Sequence, residues 1–285
     1  MTHLKENMMT SSFFHISRIS LLAIVLFLSG CDEQRRIIVP FVPSGDRVVL
    51  LEEFTGKGCT NCPKGSREID NLLLQYPDNL IAVSIHAGFF ADPEFFPLGT
   101  YDLRADQSAF LYEYLGPNFG YPAGVVNRKF FGTDLQIGLQ QWASAISSEI
   151  QEAPSIEVEI EHTYNVETRE LTVKASGIGK AIETGEVRLS VMLTESGIVD
   201  AQDDLEAGGI VEDYVHKHVL RGMLTPAGGE TLFQDIAVGK TYSKEYTTTI
   251  NSEWIAESME IVAFISIVNG SEYPVLQATS AHLVE

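Results

Sequence analysis

The stretch that most constrains this chain is Cys59-Thr60-Asn61-Cys62-Pro63. Residues 48–54 ahead of it form an apolar, β-rich run that ends in Glu52-Glu53, and Thr55-Gly56-Lys57-Gly58 supplies a flexible turn. Behind it, Ile69, Leu72, Leu73 and Tyr76 recur at i, i+3, i+4 and i+7, which predicts an amphipathic helix over residues 64–76 opened by Pro63. Proline is tolerated in a first helical turn because its missing N–H would have no partner there. Cys59 is thereby expected at the positive end of a helix dipole, a place that stabilises a thiolate. Strand, turn, cysteine pair and helix together point to cysteine chemistry.

The third cysteine has a different use. Arg18 precedes a short apolar run, residues 19–28, which is followed by Ser29-Gly30-Cys31. This reads as a secretory leader over residues 1–30, too short for a comfortable transmembrane helix. Leu28-Ser29-Gly30-Cys31 matches the bacterial lipobox, so Cys31 is expected to carry lipid and to begin the mature chain; an uncleaved anchor is the plainer alternative. Cys59 and Cys62 are then the free thiols of an exported, oxidising compartment. A bridge between them closes a loop of two residues and removes little unfolded-state entropy, which favours redox or metal chemistry over a structural staple. The net charge is −20, and loss of Lys5, Glu6 and Arg18 with the leader makes it one unit more negative. Such an excess repels phosphate backbones, so no nucleic acid is expected, and the membrane is reached through the lipid on Cys31.

Further on, Gly120-Tyr121-Pro122-Ala123-Gly124-Val125-Val126-Asn127 leads an X-Pro step into a β-rich run. With the cysteine pair, this resembles the thioredoxin superfamily. The resemblance implies a cis Tyr121–Pro122 bond beside the cysteines, with Tyr121 and Pro122 holding an extended thiol substrate. It also implies that Glu53, six residues before Cys59, is a buried carboxylate exchanging a proton with Cys62. The chain departs from that pattern in two ways: Lys57-Gly58 stand where a Trp is usual, and the intervening dipeptide is Thr-Asn. The direction of electron flow is left open. Over its whole length the chain resembles the "outer membrane protein 28" lipoprotein family, in which a lipobox, a thioredoxin-like domain and an immunoglobulin-like β domain follow one another. That resemblance implies an outer membrane lipoprotein facing the periplasm or the cell surface.

The expected organisation is a lipidated tether over residues 31–45, an α/β thioredoxin-like domain over 46–152, and an all-β immunoglobulin-like sandwich over 154–285. Residues 80–85 read as a buried strand closed by His86. An aromatic loop follows (Phe89, Phe90, Phe95, Phe96), either shaping a peptide groove or covering its own small core, and then a helix with Leu103, Ala109, Phe110, Leu111 and Tyr114. Thr133 and Gln136 suggest a capping box for a helix over 135–151, with an apolar stripe of Leu135, Leu139, Trp142, Ile146 and Ile150. After Pro154, residues 156–164 alternate apolar and mostly acidic positions, and the same period recurs at Leu171, Val173, Ala175 and at Val187, Leu189, Val191, Leu193. Asn269-Gly270 marks a late hairpin.

These features define the functional expectation. Cys59 attacks a disulfide of an exported protein, Cys62 resolves the mixed disulfide, and Glu53 manages the proton, without a cofactor. The alternative is a non-catalytic binding, adhesion or structural lipoprotein. Glu52 and Glu53 point to opposite faces of one strand, so at least one should meet a dry environment with a raised pKa. Lys57 either favours the Cys59 thiolate or is simply solvated. Copper or zinc at His86 with the thiols, or at His216 and His218, is the lesser reading, and no metal set is assigned. The acidic run Asp200, Asp203, Asp204, Glu206 misses the calcium-loop order and reads as a solvated loop.

Overall fold

The computed structural model describes residues 45–116 and 120–284. The expected leader, Cys31 with its expected lipid, and nearly all of the expected tether lie outside the described residues. Phe41–Glu285 forms one compact unit.

The apolar run before the cysteines is β1 (Val49–Thr55), buried at every position. It pairs in parallel with β2 (Leu80–His86), from Val49 opposite Leu80 to Thr55 opposite His86. Its other edge pairs antiparallel with β3 (Ala123–Val126), which carries the two-residue β4 (Ile137–Gly138). Helix α1 (Cys62–Gln75) joins β1 to β2 and buries Ile69 and Leu72 against them. Helices α2 (Ser108–Tyr114) and α3 (Leu139–Ile150) complete the first half. The predicted start of α3 at Leu135 moves to Leu139. Ile137–Gly138 is taken by pairing with β3, and the Gly138 N–H donates to the Gln141 side chain at 3.3 Å.

Beyond Pro154 the period-2 pattern gives strands, as expected. These are β5 (Glu159–Asn165), β6 (Glu170–Ile178), β7 (Glu183–Glu195), β8 (Ile198–Asp204), β9 (Gly209–His216), β10 (Val219–Met223), β11 (Glu230–Ile236), β12 (Thr241–Thr249), β13 (Met259–Val268) and β14 (Val275–His282). Strands β12, β6 and β5 form a three-stranded sheet, and β8 and β9 pair only with each other. Leu171, Val173 and Ala175 of the three-stranded sheet pack with Leu189, Val191, Ile261 and Ala263 of β7 and β13.

The expected fold, a thioredoxin-like α/β domain followed by a separate immunoglobulin-like sandwich, needs correction. Strands dominate, three α-helices occur among the described residues, and one nine-stranded sheet crosses the Pro154 join. Its order is β14-β13-β7-β10-β2-β1-β3-β4, with β11 also on β7. The physical cause is β10. Val219 lies opposite Ser84 of β2 on one side and Glu195 of β7 on the other, and the Ser84 N–H donates to the His218 carbonyl at 2.7 Å. A strand paired on both edges leaves neither half a free edge there.

The core follows the sheet. Leu50, Phe54, Val83 and Ile85 of the first half share one cluster with Met192, Leu220, Val262, Phe264 and Val275 of the second. Strands β7 and β13 are buried on both faces along much of their length, and β13 accordingly reads as a nearly continuous apolar run. A fragment ending at Glu152 would bare Leu50, Phe54, Val83 and Ile85. We expect it to bind apolar dyes and to lack the sharp thermal transition of the full chain. A dispersed amide spectrum from that fragment would instead establish the division at Pro154.

Candidate functional site

Cys59 and Cys62 are joined in a disulfide at the start of α1. The bridge is not open to solvent: Cys59 is 3% and Cys62 1% exposed. Two features cover the turn that carries it. The Phe90 backbone and the Phe96 ring press on Gly56 and Gly58, where an added Cβ would lie 2.4 and 2.1 Å from the nearest atoms, so only glycine fits. The β8–β9 hairpin lies over the other side. Gln202 Nε2 donates to the carbonyls of Cys59 (3.1 Å) and Gly56 (3.3 Å). The N–H groups of Asp203 and Leu205 donate to the carbonyls of Lys57 and Thr60, each at 2.9 Å.

Lys57 is neither solvated nor aimed at the thiols. It is buried and donates to Asp200 at 2.9 Å and to the Leu98 and Tyr101 carbonyls. Asp200 also accepts the N–H groups of Thr100 and Tyr101, and these bonds hold its carboxyl below the ordinary range against the opposing effect of burial. Asp204 takes Arg67 of α1. The acidic run expected to be a solvated loop is therefore a strand that clamps α1 and the cysteine turn.

The two glutamates of β1 diverge as alternation requires, and both are fully buried. Glu52 faces the shared core and forms a two-pronged pair with Arg128 at 2.7 and 2.8 Å, with the guanidinium stacked over Phe264. Glu53 faces α1, without a cation. Its Oε2 accepts from Ser84 at 3.0 Å, while Oε1 has no partner. A Cβ added at Gly65 would meet Glu53 Oε1 at 2.4 Å and Pro122 Cβ at 2.9 Å, so the carboxyl, the first turns of α1 and Pro122 converge. Burial, only partly offset by the Ser84 bond, pushes the Glu53 pKa up to about 8. Tyr121–Pro122 is cis. Tyr121 and Pro122 line a groove of about 400 Å³ together with Asn61, Lys64 and the β4 residues Ile137 and Gly138.

His86 lies opposite Thr55 as the strand order implied, and its ring centroid is 5.5 Å from that of His216. Both are buried and held neutral, their pKa values lowered chiefly by desolvation, that of His216 to about 4. His216 and His218 do not share a strand face: β9 stops at His216, and His218 adopts a φ of 54°. Among the described residues no group of three or more His, Cys, Asp or Glu is arranged to hold a metal.

Glu53 and Pro122 converge on Gly65 in the first turns of α1, the helix whose start carries the Cys59–Cys62 bridge, and Tyr121 lines the adjoining groove. Arg128, Ser84 and Gln202 were not foreseen. Each lies far along the chain from its partner, and no spacing rule connects them. Gly65 did leave a signal, because a glycine inside a helix costs about 1 kcal/mol and implies a close neighbour.

The geometry defines a β-rich protein with a sealed disulfide beside a groove. Residues 109–285, more than half of the chain, match the family described as outer membrane protein Omp28, and the chain belongs to that family. The description agrees with the outer membrane location that the family resemblance implied. A comparison with curated proteins found no match. Among solved structures, HBP35 of Porphyromonas gingivalis is similar at 16% identity and a TM-score of 0.64, covering 85% of this chain and 76% of that one. A structural-genomics protein of Agrobacterium tumefaciens is similar at 12% identity and a TM-score of 0.51, covering 84% and 96%. A domain of the outer membrane lipoprotein Omp28 from Porphyromonas gingivalis matches 45% of this chain and 87% of its own, with 19% identity and a TM-score of 0.29. The first two likenesses show a shared fold and nothing about activity.

Two outcomes follow from the buried glutamates. The folded state holds a proton on Glu53 that the unfolded chain releases near pH 4.5, so this group makes stability fall as pH rises from about 4.5 to 8. Glu53→Gln should remove that slope, by an amount on the order of 4 kcal/mol at pH 8 at most, in urea titrations at pH 5, 6.5 and 8. Arg128→Met should cost about 3–5 kcal/mol by stranding Glu52, and adding Glu52→Gln should restore much of it.

Proposed function

We propose that this chain is a tethered outer membrane lipoprotein whose work is binding rather than turnover. The observation that carries this reading is the burial of both sulfurs beneath the hairpin and the aromatic loop. Thiol–disulfide exchange needs a thiolate to approach a sulfur directly, and here neither sulfur is presented. The bridge instead holds the turn whose carbonyls seat β8. The groove beside Pro122 is an open concave surface next to the start of α1. Residues 120–123 and the short edge strand β4 line it, and a groove beside an edge strand suits an extended polypeptide segment.

One observation favours the second reading, thiol exchange on exported proteins. A carboxyl with its pKa near 8 and an unpartnered oxygen stands beside the first turns of α1, where it could accept a proton from Cys62. The two readings separate in a single strain. If the chain binds, Cys59→Ser/Cys62→Ser should complement a deletion fully, while Lys64→Glu/Gln140→Lys at the groove should not. If it exchanges thiols, the double serine variant fails and Cys62→Ser accumulates mixed disulfides with other exported proteins.

A further inference from the structure

The β8–β9 hairpin differs from the rest of the second half. Its two strands pair with each other and with no other named strand, whereas an isolated two-stranded hairpin is marginal in water. What holds it down is the cysteine turn itself. Gln202 donates to Gly56 and Cys59, Asp203 to Lys57 and Leu205 to Thr60, and Asp200 pairs with Lys57. Its base is narrow. Gly197, just before β8, has a φ of 79°, and His218, two residues past the end of β9, has a φ of 54°; the His218 N–H donates to Ser196 Oγ at 2.9 Å, closing the base. Two left-handed residues flank an arm that meets the first half at the cysteine turn, α1, the Thr100-Tyr101 backbone and His86.

From this arrangement we infer that the hairpin, residues 198–216, is a hinged guard over the Cys59–Cys62 bridge, latched by Gln202, which a protein-sized thiol must displace to reach the sulfurs. The inference rests on neither functional reading. A guard keeps a structural bridge from being scrambled by passing thiols, and it equally sets the access of a redox partner. The chemistry it controls is simple. A dithiol reagent is oxidised to its own disulfide, and Cys59 and Cys62 receive its two electrons and two protons. Small reagents can enter past a closed arm that excludes a folded protein.

The test measures how fast the native bridge is reduced by a small dithiol and by a protein dithiol, in the full mature chain. The small dithiol should act at least about tenfold faster, relative to the rates of the same two reagents on the urea-unfolded chain, where no guard exists. Gln202→Leu keeps the buried volume and removes the donor. It should raise the rate with the protein dithiol about tenfold and leave the rate with the small one nearly unchanged, with the thermal midpoint as a check on folding. Should that variant fold poorly, the size dependence in the wild-type chain decides alone. Native wild-type rates that show no size dependence beyond that of the unfolded chain overturn the guard, as does a well-folded Gln202→Leu variant reduced no faster than wild type. A bridge that reduces readily in the variant but supports no exchange on other proteins would defeat the thiol-exchange reading and leave the guard standing.

Discussion

The buried Glu52–Arg128 pair sits inside the first half and faces the core that both halves share. Glu52 projects from the central strand β1 into a core built from both halves, and Arg128, just past β3, answers it with two hydrogen bonds. The guanidinium lies over the Phe264 ring of β13 and near that of Tyr114 from α2. One buried ion pair thus touches the central strand, α2 and the distal strands at once. Its net contribution is small, because desolvation offsets most of the attraction, but either charge alone would be severely destabilising.

Glu53, one residue on, shows the same strand using burial in the opposite way. It has no cation, keeps one oxygen unpartnered, and is held largely protonated at neutral pH. The difference arises because β1 is covered on both faces, by the shared core on one and by α1 on the other. Adjacent carboxyls in one strand thereby acquire different protonation states. The disulfide sits at the end of this strand, and its surroundings come from three separate stretches of chain: the aromatic loop, β8 and the Tyr121–Pro122 segment.

Shared burial also explains how far the chain resists division. Val219 of β10 pairs on both sides, linking β2 to β7, and the second half returns through β8 to the first half's cysteine turn. Membership of the outer membrane protein Omp28 family, matched from residue 109 onward, likewise spans the Pro154 join. The cysteine turn thus lies within a structure that both halves build, with the groove beside Pro122 on one side and the β8–β9 hairpin on the other.

The sequence by itself determined the elements and the local chemistry. Apolar alternation placed β6, β7 and the β13–β14 hairpin, Pro63 and the i, i+3, i+4 spacing placed α1, and the short spacing of Cys59 and Cys62 allowed their bridge. Two adjacent glutamates in a covered strand announced an unusual carboxyl. These are short-range properties, encoded within about ten residues of where they act. The tertiary structure decided which partner each group received. That Lys57 would meet Asp200, Glu52 would meet Arg128, and Gln202 would cap Cys59 depends on pairings across 76 to 143 residues. Glu52 meets Arg128 through the pairing of β1 with β3, and Asp200 and Gln202 meet the cysteine turn where β8 lies against it. Backbone pairing of one strand to another leaves little mark on sequence, because it uses the N–H and C=O groups that almost every residue has. The two predicted domains became one sheet for that reason.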